Sequence, residues 1–164
     1  IHRHYQMLAT TEISAPETPL DPAAIRLRVI VPVASLDLPA RQALAYALAI
    51  TDPDHVVVVH VTDDEASAEA FHRKWMLDHY RGQLVVIESP FRSLVRPLVA
   101  YINAAREAHP TDVITVVLPE YVPRHWWEQL LHNQTALRIK AALLFQRGIV
   151  TTNVPYHMRG FERG

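Results

Sequence analysis

Five short apolar runs, rich in β-branched residues and separated by stretches of helical periodicity, constrain this chain more than any other feature. The runs cover residues 27–33, 55–61, 83–88, 113–118 and 149–154. The second has four consecutive valines at its centre, which suits burial on both faces of a sheet. Between the first two runs, residues 39–50 start on a proline and bring Ala40, Leu44, Ala47 and Leu48 to one helical face. Residues 63–80 open on an acidic turn that suits the positive end of a helix. Residues 91–109 repeat Leu94, Leu98, Tyr101, Ile102 and Ala105, and 124–131 and 135–145 complete the helical stretches. Pro97 cannot bond back to Ser93, so it either kinks its helix or marks a late start.

Strands alternating with crossovers of this length predict an α/β fold with a doubly wound five-stranded parallel sheet, strand order 3-2-1-4-5, and helices on both faces. Ligands of such sheets bind outside the carboxyl ends of the strands, where the winding reverses. Here that point lies between the first and fourth strands. Val33-Ala34-Ser35 and Leu118-Pro119-Glu120 are therefore expected to face each other across a crevice.

The length of 164 residues suits one core, expected over 25–158. Residues 1–24 hold Pro16, Pro19 and Pro22 among small and polar residues and read as a linker, with room for a short helix around 1–10. Residues 159–164 read as a loose tail. The chain opens Ile1-His2-Arg3-His4-Tyr5, without an initiator Met, and is expected to be cut from a longer protein. Its longest uninterrupted apolar stretch, residues 43–50, is far short of a membrane span.

Composition removes several classes of function. The formal net charge is −1, so no bulk positive field exists for nucleic acid, and none is expected as a partner. The charge is nonetheless uneven, −5 over residues 1–88 and +4 over 89–164. Fourteen of the 16 basic residues are arginine, whose forked guanidinium grips planar oxyanions, so a local cluster in the second half matters. The four glycines are too scattered to write a phosphate-cradling Gly-rich loop. Cysteine is absent, which removes disulfides, thiolate metal sites and a cysteine nucleophile.

Two segments carry the polar chemistry. In Ser89-Pro90-Phe91-Arg92-Ser93-Leu94-Val95-Arg96, Ser89 can cap a helix with Pro90 at its first position. Arg92 and Arg96 then lie on one face near free backbone N–H groups, a grip for phosphate; the alternative is two solvated arginines. The second segment runs from Pro119 and Glu120 through His125, Trp126, Trp127 and Glu128 to His132, Asn133, Gln134 and Thr135. Two adjacent tryptophans cannot both face the core from one helix. One stacks on a base, a partner or another segment, or one fills the core and the other seals an interface. His125, Glu128 and His132 recur at i, i+3 and i+7 and can share a face around a divalent metal, although no further ligand is in view. Asn133-Gln134-Thr135 can cap the next helix, turn amides toward an anion, or do both. No nucleophile elbow is present, and nothing in the residues calls for an enzyme or a resident cofactor.

The five strands together resemble the universal-stress-protein fold, a nucleotide-binding α/β module. ATP-holding members carry a glycine-spaced loop after the fourth strand; here that stretch has Arg, Trp, His, Asn and Gln and no glycine. The runs Ser89–Leu94, Pro119–Thr135 and Thr152-Asn153-Val154-Pro155-Tyr156-His157 more closely resemble the C-terminal cytosolic domain of bacterial permeases in the amino acid–polyamine–organocation superfamily. Within it, the branch of potassium importers fits best. The resemblance implies a regulatory domain on the cytoplasmic face of the cell membrane, joined through a juxtamembrane segment at 1–24 to the membrane part of the same polypeptide. It implies cyclic di-AMP as the ligand controlling transport, with a mononucleotide (ATP or AMP) sensor or a ligand-free dimerisation module as alternatives. Cyclic di-AMP is two-fold symmetric, and a homodimer presents one patch twice. Each protomer would stack an adenine near Val33, Ser35 and Val61 and bring Arg92 or Arg96 to a phosphate, with Ala34, Ser89, Pro119, Glu120, His132, Asn133 and Gln134 completing the nucleotide site. The fifth strand would pair with its twin at the sheet edge.

Overall fold

A computed structural model describes residues 21–89, 94–122, 134–144, 146 and 148–157. Within them are five strands, β1 (Arg26–Val33), β2 (Val56–Thr62), β3 (Gln83–Glu88), β4 (Asp112–Val122) and β5 (Ile149–His157), and four α-helices, α1 (Leu38–Ile50), α2 (Glu65–Leu77), α3 (Val95–Ala108) and α4 (Gln134–Leu144). The sheet is parallel throughout, in the order β3-β2-β1-β4-β5, as the alternation of runs predicts.

Side chains alternate across the sheet and divide the core in two. Val29, Val31, Val33, Val56, Val58, Val117 and Val154 meet Ala40, Ala43, Leu44 and Ala47 of α1 and Phe71 and Trp75 of α2. On the other face Ile30, Val57, Val59, Ile114, Val116 and Leu118 meet Leu98 and Ile102 of α3 and Ile139 and Leu143 of α4. The central strands are thus apolar on both sides, which explains the unbroken valine run of β2. Alanines on α1 let that helix lie close to the strands.

The helix starts follow local chemistry. Asp37 caps α1, its Oδ1 accepting from the Ala40 N–H at 3.0 Å, with proline in the first turn. Asp64 caps α2 by accepting from Ala66 and Ser67. The described part of the third helix begins at Val95 and places Pro97 in the first turn, where no intrahelical donor is lost. The late start expected from Pro97 is therefore what these residues show; Pro90, Phe91, Arg92 and Ser93 lie outside the described residues.

β4 and β5 run past the ends read from the sequence, pairing on from Pro119↔Val154 to Val122↔His157. β4 can carry Pro119 because β1 has left its other side by then, and a proline is tolerated where no ladder bond is required.

Gly82 enters β3 with φ +96°, and a Cβ there would stand 3.1 Å from the Val56 carbonyl oxygen. Gly82→Ala is expected to cost about 1–2 kcal/mol from the left-handed backbone alone, before any shift of Val56, read as a lowered urea midpoint at unchanged slope.

Candidate functional site

The parting of β1 and β4 at the expected crevice has an identifiable cause. β1 pairs with β4 only from Arg26↔Asp112 to Ile30↔Val116, whereas it pairs with β2 as far as Val33↔His60. The β1–β2 pairing runs through Pro32, which has no N–H to give. The donors to β2 must then be the odd-numbered residues Val29, Val31 and Val33, and the even-numbered ones turn their main-chain groups toward β4. Pro32 is the residue that would donate next to β4, and it cannot. The β1–β4 ladder stops there, and the two strands part with the turn after β1 on one side and Leu118–Glu120 on the other.

The turn after β1 is rich in oxygen acceptors. Ala34 and Ser35 are exposed, and Leu36 beside them is buried. The Ser35 hydroxyl donates to Asp37 Oδ2 at 2.8 Å, so this helix start already holds its own carboxylate. With a proline and a capping Asp in place, the start of α1 suits a donor group of a ligand better than a phosphate.

His60 lies beneath this turn. It is 7% exposed, stacks on Phe71 with ring centroids 4.0 Å apart and planes 10° apart, and has Nδ1 3.1 Å from the Val33 carbonyl oxygen. Burial lowers its pKa below the ordinary 6.5, the bond to Val33 pulling the other way. A lowered folded-state pKa means that the unfolded chain takes up the proton more readily. Stability is therefore fully present above 6.5 and is lost as the pH falls from there through the lower folded value. Urea midpoints should drop between neutral and mildly acid pH, and His60→Asn, which does not titrate, should flatten that drop.

The expected site residues divide as follows. Val33 packs in the α1/α2 layer and Val61 against the α3/α4 layer, so their side chains lie on opposite faces of the sheet and cannot sandwich one base between them. Ser89 is buried, and its N–H donates to the Thr62 carbonyl at 2.7 Å, tying the end of β3 to the end of β2. Arg96 is exposed in the first turn of α3, a helix that packs across β2 and β4. Pro119 is half-buried; Glu120 accepts from Lys140 Nζ of α4 at 3.3 Å. Gln134 opens α4. Arg92, His132 and Asn133 lie outside the described residues, as do His125, Trp126, Trp127 and Glu128. Among the described residues no group of three metal-ligating side chains converges.

Two residues of the crevice escaped the sequence reading. Pro32 carried a readable signal, a proline inside a β-branched run, which marks a strand losing a neighbour. His60 carried none, because its contacts with Val33 and Phe71 come from three separate elements.

The sheet order and its parallel pairing define an open, doubly wound α/β module, a class whose ligands bind at the winding reversal. A family model described as the KimA potassium transporter C-terminal domain matches residues 25–156, and the chain belongs to that family. Over 133 residues it is 29% identical to the potassium transporter KimA of Bacillus subtilis (strain 168), an alignment covering 80% of this chain and 22% of that protein. The chain thus spans about a fifth of its curated relative's length. No helix among the described residues is long and apolar enough to cross a membrane.

Proposed function

We propose that this chain is the regulatory domain of a potassium transporter and that it binds an adenine nucleotide, cyclic di-AMP foremost, to control transport. The observation that carries the reading is the end of the β1–β4 pairing at Ile30↔Val116, before Pro32, with Ala34 and Ser35 exposed beyond it. Membership of the KimA C-terminal domain family supports an association with a transporter. The resemblance to universal stress proteins and to permeases of the amino acid–polyamine–organocation superfamily supports a nucleotide ligand and a position on the cytoplasmic face of the membrane.

In this reading the turn after β1 takes the adenine, Asp37 and Ser35 facing its exocyclic amine. Arg96, and Arg92 by its sequence position, neutralise the phosphodiester. The split of Val33 and Val61 between the two faces means that main-chain groups, rather than those two side chains, recognise the base. A ligand with two adenines and two phosphates is completed by a second protomer, and the edge strand β5 supplies a surface for two-fold pairing. The role is regulatory and not catalytic.

Calorimetric titration of the chain with cyclic di-AMP, ATP and AMP tests the proposal. Saturable binding strongest for cyclic di-AMP is expected. Binding of ATP or AMP alone would replace it with a mononucleotide sensor, and heat with none of the three would leave only a module that holds subunits together.

A further inference from the structure

The Val33 carbonyl turns toward β2, where the His60 imidazole meets it at 3.1 Å. In a trans peptide the carbonyl of one residue and the N–H of the next point in opposite directions, and this backbone has no cis bond among the described residues. The Ala34 N–H is therefore turned away from β2, toward the side on which β4 has already parted from β1. Ala34 is exposed, and its N–H donates to no acceptor among the described residues. Among the described residues it is an unused main-chain donor, placed where β1 and β4 part.

The neighbourhood says what such a donor would take. Three residues on, the Asp37 carboxylate caps α1 and draws the Ser35 hydroxyl onto itself. A phosphate beside that carboxylate would be repelled, whereas a neutral ring nitrogen would not. A heteroaromatic base offers both an acceptor nitrogen for Ala34 and an amine for Asp37.

We propose that the Ala34 main-chain N–H reads an acceptor nitrogen of the bound base, and that His60 and Pro32 are the positioning residues that keep it free and aimed. His60 does so by fixing the Val33 carbonyl and so the plane of the peptide. Pro32 does so by denying β4 the ladder bond that would draw the strands together. The proposal rests on the nucleotide reading above and adds to it how the base is recognised.

The test titrates cyclic di-AMP into the 164-residue chain and three variants, each first checked for folding. His60→Phe keeps the stack on Phe71 and loses the donor; affinity should fall about five- to tenfold, the range for one lost hydrogen bond. His60→Asn places an amide N–H where Nδ1 stands and should recover most of that loss, which repair of packing alone would not do. Pro32→Val returns an N–H facing β4; it should leave the fold intact, weaken binding at least as much, and add a slowly exchanging amide at position 32. Wild-type affinity in His60→Phe or Pro32→Val, or an Asn variant as weak as the Phe variant, would overturn the proposal while leaving the nucleotide reading standing. A wild-type chain that binds no cyclic di-AMP would instead bring down that reading first, before any variant is compared. Independently of ligand, nitrogen NMR of His60 should show the proton on Nδ1; a proton on Nε2 alone would overturn the positioning role.

Discussion

Asp112→Ala should lower the unfolding free energy by about 3 kcal/mol, because it leaves a mostly buried guanidinium without its carboxylate. Arg28 Nε and Asp112 Oδ2 are 3.2 Å apart, with side chains 14% and 4% exposed, at the amino end of the sheet where β1 and β4 pair. Their attraction offsets the cost of taking both charges out of water, and removing one partner leaves the whole cost of the other. The Tyr101 phenol shares this environment: burial raises its pKa and the Arg28 charge pulls the other way. The same logic predicts that Arg28→Met combined with Asp112→Leu is far milder than either truncation, since two apolar side chains incur no desolvation of charge. Urea denaturation of the wild type, Asp112→Ala, Arg28→Ala and the double variant checks both statements. An Asp112→Ala midpoint equal to that of the wild type would mean that the pair is solvated and contributes little.

Cyclic di-AMP at 100 times its dissociation constant should stabilise the chain by about 2.7 kcal/mol, whatever that constant is. The size follows from mass action alone: a ligand that binds the folded state and not the unfolded one must be released before unfolding. For a chain of this length, a shift of that size moves the melting temperature by several degrees, roughly 2–4 °C per kcal/mol. Arg96→Ala should reduce the shift at a fixed ligand concentration, since it removes a charge-assisted contact. ATP and AMP, offered at the same concentration, should shift the transition less. An unmoved transition with cyclic di-AMP at high concentration would contradict the sensor reading, whatever the family of the chain.

The architecture was legible because its signals were local and repeated. β-Branched runs and helical periods alternate five times, and the handedness of parallel crossovers leaves few ways to join them. Strand ends were less so. β4 and β5 read as stopping at Leu118 and Val154, each just before a proline; both strands continue to Val122 and His157 by pairing with each other beyond the last β1–β4 pair. Topology predicts where β1 and β4 part, yet not the cause: Pro32 sits inside a run read simply as strand. Side-chain direction was the weakest part. Val33 and Val61 end adjacent strands of the same sheet and face opposite layers, a parity that only the register fixes. His60 takes its importance from Val33 and Phe71, which lie 27 and 11 positions away in sequence, so no local pattern could single it out.

The most direct test of whether the carboxyl end of the sheet receives a nucleotide is a backbone amide NMR titration of the chain with cyclic di-AMP. The largest shifts should fall on Ala34 and Ser35, with smaller ones at Val61 and Glu120, and should saturate together. Shifts spread along β3 or at the amino end of the sheet, with Ala34 and Ser35 unmoved, would contradict it.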